Sequence, residues 1–501
     1  MDVFHGLLSG FEVALSLHGL LFVLIGVTVG TFIGMIPGLG PITAIAVMIP
    51  ITYGMDPALA LLLMAGVYYG AAYGGASSSI LLNAPGTSEA VATSFDGYPM
   101  AKQGKAGKAL ATAAIASFFG GTISIIFLTF LAPTLAKVAI SFGPPEYFAL
   151  MLMGLTALSS LSDGSTIKAL ISATIGFMIA TVGIDSQTGT PRFTFGNAHL
   201  LEGIDFLVLA LGLFALAEVT SLIITRKEKV GKSNTIGSLK LTKNDFKEIT
   251  PTVGRQSVLG FVIGVLPGAG GTIASFLAYI SEKKLSKNPD EFGKGAIRGV
   301  AAPESANNAA SGGAFVPLLS LGIPGSGTTA VMLGALMVLG IQPGPLLMGD
   351  HPDVFWGVIA SMYIGNILLL VLNLPLIPYI SKVLKVPRPL LTSLVIVFCL
   401  IGVYGISFST FDLFLLLGFG VLGYIMRLVH FPASPLLLAF ILGGMMEQSF
   451  RQALTISNGS LSIFFTNPIA CVLIIIAFAS FLVPIFKTLR RKAKVDQSVD
   501  M

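Results

Sequence analysis

The chain has 501 residues, of which 54% are hydrophobic and only 11% charged, with a mean hydropathy of +0.88. No soluble domain of this size can hide that much apolar surface, so the composition excludes a soluble enzyme or binding module and describes a polytopic membrane protein. The net charge of +5 and pI of about 9.0 do not point to nucleic acid, because the basic residues sit in short connectors and the C-terminal tail, where the positive-inside rule puts them.

The first 30 residues contain no Lys or Arg. They do not read as a cleaved secretory signal with a basic n-region, and the N-terminus is expected to be retained. Residues 30–40 then read GTFIGMIPGLG. A Pro-Gly-x-Gly sequence in an apolar stretch is costly, since Pro removes a backbone donor and Gly disfavours helix. In lipid such backbone survives only where protein buries it or water lines it. Gly38 and Gly40 are therefore expected at the tip of a re-entrant helical hairpin, with the Thr43 hydroxyl capping its second arm. A second break follows at APGTS, 84–88, and places Pro85, Gly86, Thr87 and Ser88 at an interrupted helix. Before it, Tyr73 and Ser77 to Ser79 supply hydroxyls. Asp96 and the Lys102, Lys105 and Lys108 group read as a cytoplasmic edge. Spans are expected at about 107–135, 144–161, 166–184 and 203–225. Glu202, Asp205 and Glu218 read as solvated span ends.

The most polar stretch, 226–255, carries eight Lys and Arg and reads as a cytoplasmic linker. After it the opening motif recurs as GFVIGVLPGAG at 260–270. Gly268, Gly270 and Gly271 form the second expected hairpin tip, with Thr272 as cap. Basic or polar sequence resumes at SEKK, 281–284, which leaves about 25 residues between two cytoplasmic ends, too few for two full spans. Two further echoes keep the order: AAYGGA at 71–76 against AASGGA at 309–314, and APGTSEAVA at 84–92 against IPGSGTTAV at 323–331. The offset grows from 230 (Gly34 to Gly264) to 238 (Gly74 to Gly312) and 239 (Pro85 to Pro324), which describes a duplicated half-protein. The second break contains Pro324, Gly325, Ser326, Gly327 and Thr328. Further spans are expected at 353–381, 390–407, 411–428, 433–450 and 468–488. The GYPMAKQGKAGK connector of the first half is basic, whereas its counterpart GIQPGPLLMGDHPD, 340–353, has no Lys or Arg. Equivalent connectors on opposite sides of the membrane mean inverted repeats. Parallel repeats with drifting connector charge remain the alternative.

Broken helices leave unpaired N–H groups and a partial positive charge at each new N-terminus, which suits a carboxylate. Freed carbonyls and Ser or Thr hydroxyls suit a hard cation such as Na⁺. The competing reading makes these breaks hinges or close helix-packing points. AAPESANNAASGG, 301–313, adds Glu304, Ser305, Asn307 and Asn308 to an apolar segment, where polar groups are expensive without partners. With Ser77 and Ser78 they are the candidate cation-coordinating or gating residues; a connector meeting water is the bland alternative. Cys399 and Cys471 lie far apart in apolar runs and read as core. There is no GxxxxGK[ST] loop and no HExxH, and no catalytic or metal-ligand set is expected.

Together these motifs resemble the TctA family, the large membrane subunit of tripartite tricarboxylate transporters. The matching sequences are GMIPGLGP (34–41), YYGAAYGGASSSILLNAPGT (68–87), FDGYPMAKQGKAGKAL (95–110), GVLPGAGGTIASFLAY (264–279), 291–331 and GIQPGP (340–345). The resemblance implies a small four-helix membrane subunit (TctB-like) and a periplasmic substrate-binding protein (TctC-like) as partners. It implies tricarboxylates or other organic carboxylates as substrates, and an ion gradient, Na⁺ or H⁺, as driving force. It also implies a bacterial-type inner membrane location.

The expected architecture is an all-α polytopic membrane protein: two inverted repeats with re-entrant hairpins and broken helices, in about 10–12 membrane segments. The first membrane repeat covers 1–225, the linker 226–255, the second repeat 256–488 and a cytoplasmic tail 489–501. The expected function is the permease subunit of a binding-protein-dependent secondary transporter. An intramembrane enzyme acting on a lipid-linked substrate, or an anion channel, would use the same polar breaks differently.

Overall fold

A computed structural model of the chain describes residues 3–36, 39–161, 165–185, 187–224, 236–382, 386 and 388–480. The first half runs through α1 (Val3–Leu15), α2 (Leu17–Met35), α3 (Pro41–Thr52), α4 (Pro57–Leu82), α5 (Val91–Lys102), α6 (Ala106–Ala139), α7 (Pro144–Leu161) and α8 (Thr166–Ala180). A small antiparallel ribbon, β1 (Gly183–Ile184) and β2 (Pro191–Arg192), follows. The half closes with α9 (Phe206–Ala210) and α10 (Ala217–Ile224), one rod joined by a π turn over Leu211–Leu216.

The second half contains α11 (Lys243–Val265), α12 (Gly270–Leu285), α13 (Ile297–Gly313), α14 (Phe315–Leu321), α15 (Gly327–Val338), α16 (Leu347–Asp350) and α17 (Pro352–Asn373). It continues with α18 (Ile377–Ile380), α19 (Arg388–Ser407), α20 (Thr410–Leu428), α21 (Ala433–Ile456), α22 (Ile463–Thr466) and α23 (Pro468–Ser480). Eight of the described helices, counting the α9–α10 rod as one, are long and apolar enough to cross a membrane.

Small residues decide how these helices meet. Gly26, Gly30 and Gly34 recur every four residues along α2, and a Cβ on any of them would strike the backbone of α4 at Leu63, Val67 or Ala71. Gly66, Gly70 and Gly74 of α4 return the contact, with the Gly70 Cβ position 2.7 Å from the Val27 carbonyl. Glycine here lets two backbones touch, as small-xxx-small pairs do between membrane helices. The second half repeats the arrangement: Gly260 and Gly264 of α11 press on the Ala306 and Ala310 carbonyls of α13.

The packing also sets the repeat register. Gly34 meets Ala71 and Gly264 meets Ala310, while Gly74 meets Thr31 and Gly313 meets Phe261. The equivalence along α4 and α13 is therefore 239, one residue beyond the 238 that letter matching of AAYGGA with AASGGA gives. The same offset relates the two breaks, each of which opens on a left-handed residue, Asn83 (φ 55°) after α4 and Gly322 (φ 70°) after α14.

Contacts between halves are reciprocal. The α6 helix packs on α13 and its counterpart α17 packs on α4; α8 packs on α21 and its counterpart α20 on the α9–α10 rod. Helix α3 likewise meets α15 while α12 meets α5. Exchanged contacts of this kind are what a two-fold relation between halves produces.

Several expected boundaries move. The linker 226–255 ends sooner, because α11 starts at Lys243 with a capping box in which Thr242 and Asp245 satisfy each other's backbone N–H groups. Lys108 adds an ion pair to Asp245 at 2.6 Å. SEKK, expected to mark a cytoplasmic end, forms the last turn of α12, and its Glu282 is fully buried, bound by Thr252, Arg255, Gln256 and Arg298. Asp96 is not a solvent-facing edge either. It is wholly buried, and its carboxylate accepts the N–H groups of Gly293, Gly295 and Ala296 and the Tyr279 hydroxyl at 2.7–2.8 Å, pinning the 293–296 turn of the second half onto α5. The tail 489–501 and the part of the polar stretch before Ile236, 226–235, lie outside the described residues. Cys399 is buried and Cys471 half-buried, both as free thiols.

Candidate functional site

Both Pro-Gly elements of the second half and the break of the first half face one cavity of about 740 Å³. Its wall contains Gly40 and Thr43 from the start of α3, and Pro85, Gly86, Thr87 and Ser88 from the first break. It also contains Gly268, Gly270, Gly271 and Thr272 from the second hairpin tip, and Ser326, Gly327 and Thr328 from the second break. Gly38 lies outside the described residues. Pro324 and Gly325 stand one layer behind the wall, where the Gly325 carbonyl accepts the Gly268 N–H at 2.9 Å and so ties tip to break.

The local sequence explains why helices begin at this point. Gly40 precedes Pro41, which occupies the first helical position of α3, where its missing N–H costs nothing. Gly268 (φ 83°) and Gly270 (φ 59°) turn the chain through left-handed conformations that open α12. Ser326 caps α15 in a reciprocal box with Thr329: the Thr329 N–H reaches the Ser326 Oγ at 3.2 Å, and the Ser326 N–H reaches the Thr329 Oγ1 at 2.8 Å. Helix α21 begins beside them, with Ala433 and Ser434 in the wall. Four helices of 12 residues or more, α3, α12, α15 and α21, thus present their N-terminal turns to one space. First-turn N–H groups lack intrahelical partners and carry the positive end of the helix dipole, so the cavity is built to hold negative charge.

The expected caps take a different role. Neither α3 nor α12 has a side-chain cap. The Thr272 hydroxyl instead lies 2.8 Å from the Ser88 hydroxyl, a bridge from the second hairpin to the first break. Thr43 is buried in α3 at the wall.

The residues expected to coordinate a cation do not line this cavity. Ser77 and Ser78 are buried on α4, where the Ser78 hydroxyl donates to the Gly75 carbonyl at 3.1 Å. Glu304, fully buried on α13, accepts hydrogen bonds from Thr93 and Ser117. The Asn308 amide donates to Ser117 at 2.8 Å and to Asn307 at 2.6 Å, and Ser305 returns its hydroxyl to the Ala301 carbonyl at 2.9 Å. This set fastens α13 to α5 and α6, because buried polar groups in an apolar surround must satisfy one another.

Three charged residues in the wall were not expected there: Glu89, Glu218 and Arg427. Glu218 is not a solvated span end. It is buried in the first turn of α10, directly after the π turn that also brings Phe214 to the wall, and Arg427 from the last turn of α20 bonds its carboxylate. π turns are rare and gather at functional sites. Glu89 ends the first break and is 7% exposed. The usable signal was opposite charge in two separate apolar spans, Glu218 and Arg427, since such residues in membrane segments pair or line a path. For Glu89 it was the acid inside the Pro-Gly break itself.

The family model of the tripartite tricarboxylate transporter TctA family matches residues 20–438, which span both hairpins, both breaks and all four helix starts. An uncharacterized 52.8 kDa protein of the TAR-I ttuC' 3' region of Agrobacterium vitis is 45% identical over 492 residues, 98% of each chain. An uncharacterized protein of the TAR-II ttuC' 3' region of the same organism is 46% identical over 233 residues, 46% of this chain and 96% of its own length. No solved structure matches. With the family model covering most of the chain and a relative matched end to end, this multi-pass membrane protein belongs to the TctA family of tripartite tricarboxylate transporters.

Proposed function

We propose that the chain is the permease subunit of a binding-protein-dependent, ion-gradient-driven carrier for tricarboxylates or other organic carboxylates, working in a bacterial inner membrane. One observation carries the reading: four helix N-termini and the Arg427 guanidinium converge on a single cavity of about 740 Å³, a size within the usual range for small-molecule sites. Dipole ends and backbone N–H groups compensate one carboxylate, and the guanidinium can bind another as a planar fork. Glu218 holds Arg427 in the described structure. An arriving carboxylate would compete with it for the same donors.

A secreted binding protein and a small membrane subunit, the partners the family name implies, would deliver the anion and complete the carrier. The halves are proposed to be inverted, so that the hairpins enter from opposite faces and alternate in closing the shared cavity. Their reciprocal packing supports a two-fold relation between the halves, and the opposite charge of the equivalent connectors is what favours inversion. Uptake of labelled di- and tricarboxylates into proteoliposomes containing all three subunits tests the proposal. Saturable uptake that needs the binding protein and an imposed Na⁺ or pH gradient supports it. Non-saturating flux independent of any gradient would describe a channel instead.

A further inference from the structure

The two breaks share a backbone but differ in what their side chains leave open. At the offset of 239, Thr87 corresponds to Ser326, Glu89 to Thr328 and Ala90 to Thr329. In the second break Ser326 and Thr329 close their reciprocal cap, and the Ser326 hydroxyl also lies 3.4 Å from the Tyr68 hydroxyl. In the first break Ala90 removes one half of that cap, and Thr87 makes no side-chain capping bond. Among the described residues the Thr87 Oγ1 and the Glu89 Oε2 are buried without a hydrogen-bond partner. Both residues are in the cavity wall, 4% and 7% exposed.

The space around Glu89 is shaped for it. A Cβ on Gly271, at the start of α12, would fall 2.6 Å from the Glu89 carboxyl carbon and 2.8 and 2.9 Å from its two oxygens. The absent side chain of the second hairpin is therefore what admits the first-half carboxylate. Beyond the partial positive charge at the start of α12, no described side chain beside it supplies a free cation. Glu304 on α13 adds a like charge, Tyr68 on α4 is a neutral hydroxyl, and the cation of the wall, Arg427, is engaged by Glu218. A buried carboxylate with an idle oxygen, beside an idle hydroxyl, needs a positive charge that bonds to oxygen.

We infer that the first break is a cation site, in which Thr87 and Glu89 bind a Na⁺-sized monovalent cation that travels with the carboxylate. Carboxylate, hydroxyl and non-helical carbonyl oxygens are the ligands a hard cation takes. Two idle oxygens on one short turn fit a coordinated ion better than a proton, which occupies a single oxygen. The inference rests on the carrier reading for its role, and it divides the labour between the halves. The second break presents N–H groups to the anion, while the first presents oxygens to the cation. Each ion then improves the other's site, a coupling carried by charge across one cavity.

Equilibrium binding of radioactive Na⁺ to the purified full-length protein in detergent, at fixed pH with choline as the balancing cation, tests the site. The wild type should bind Na⁺ saturably, Glu89→Gln should lose that binding, and Thr87→Val should weaken it about tenfold or more. The exposed Glu12→Gln should leave it unchanged. If Glu89→Gln does not fold, Thr87→Val decides. No saturable binding by the wild type, as expected if a proton alone neutralises Glu89, overturns the inference, and so does full affinity in the folded variants. The assay contains no carboxylate, so its failure leaves the carrier reading standing. Intact Na⁺ binding without carboxylate uptake would instead remove that reading and keep the site.

Discussion

The Gly268 amide donates to the Gly325 carbonyl at 2.9 Å, joining the tip of the second hairpin to the break of the same half. Around that bond there is no spare volume: a Cβ on Gly325 would lie 2.8 Å from the Ala314 Cα and 3.0 Å from the Gly264 carbonyl. Gly86 occupies the equivalent place in the first half, against the Gly34 carbonyl. Gly40 differs, with nothing within 4 Å of its Cβ direction. Gly86→Ala and Gly325→Ala should each destabilise the protein by about 1–3 kcal/mol through overpacking, while Gly40→Ala should leave stability within about 0.5 kcal/mol. Thermal unfolding of the three purified variants checks this; a neutral Gly325→Ala would mean that break is looser than described.

Arg427 is the cation in the wall of the cavity, and it faces Glu218. Arg427→Gln should raise the KM for carboxylate uptake about 10–100-fold by removing charge-assisted hydrogen bonds, and Arg427→Lys should recover part of the loss. Glu218→Gln removes the competitor and should lower the KM. Uptake kinetics in reconstituted carrier separate these outcomes from a purely structural pair, for which all three variants would alter stability and leave KM alone.

The ribbon β1–β2, which lies between helices α8 and α9, is tied to α21 by Arg192 and Arg451, which bracket Asp185 and Glu447 at 2.5–3.4 Å. The N–H groups of Gln187 and Thr188, then Arg451, push the Asp185 carboxyl down to about 2. A folded-state value below the unfolded one means stabilisation that is present at neutral pH and disappears as pH falls through about 2. Asp185→Asn should therefore lower the unfolding temperature at pH 7, with the difference from wild type closing progressively below pH of about 4. A gap that persists unchanged at the acid end would assign the effect to shape and not to charge.

The proposed inversion makes a prediction about sidedness. Lys105 and Gln342 lie on exposed parts of equivalent connectors. In a background without Cys399 and Cys471, Lys105→Cys should react with an impermeant thiol reagent only from the cytoplasmic side, and Gln342→Cys only from the other. Labelling of both from the same side would make the repeats parallel.

The helix interruptions were legible because Pro-Gly sequences in apolar runs are expensive and therefore informative, and because they occur twice. The register slipped by one residue at Gly74 for the opposite reason: runs of Ala and Gly look alike under a shift, and the contacts of Ala310 with Gly264 and of Gly313 with Phe261 fix it. Thr43 and Thr272 suggested caps by proximity to a helix start, yet Gly and Pro made those starts without them. Asp96 reads as a polar edge in sequence because its partners, Gly293 to Ala296, lie about 200 residues on. Arg427 and Glu218 were each visible as a charge in an apolar span, but that they pair follows from α20 packing on the α9–α10 rod, which the sequence does not show.

Substrate binding where the four helix N-termini meet can be tested at Gly40. Its φ of −71° suits any residue, and a side chain there points into open space, so Gly40→Leu fills the cavity without disturbing the backbone. Uptake of labelled carboxylate by proteoliposomes carrying this variant with both partner subunits is the measurement. The expected result is wild-type insertion and unfolding temperature with uptake abolished. Wild-type uptake by Gly40→Leu would contradict it.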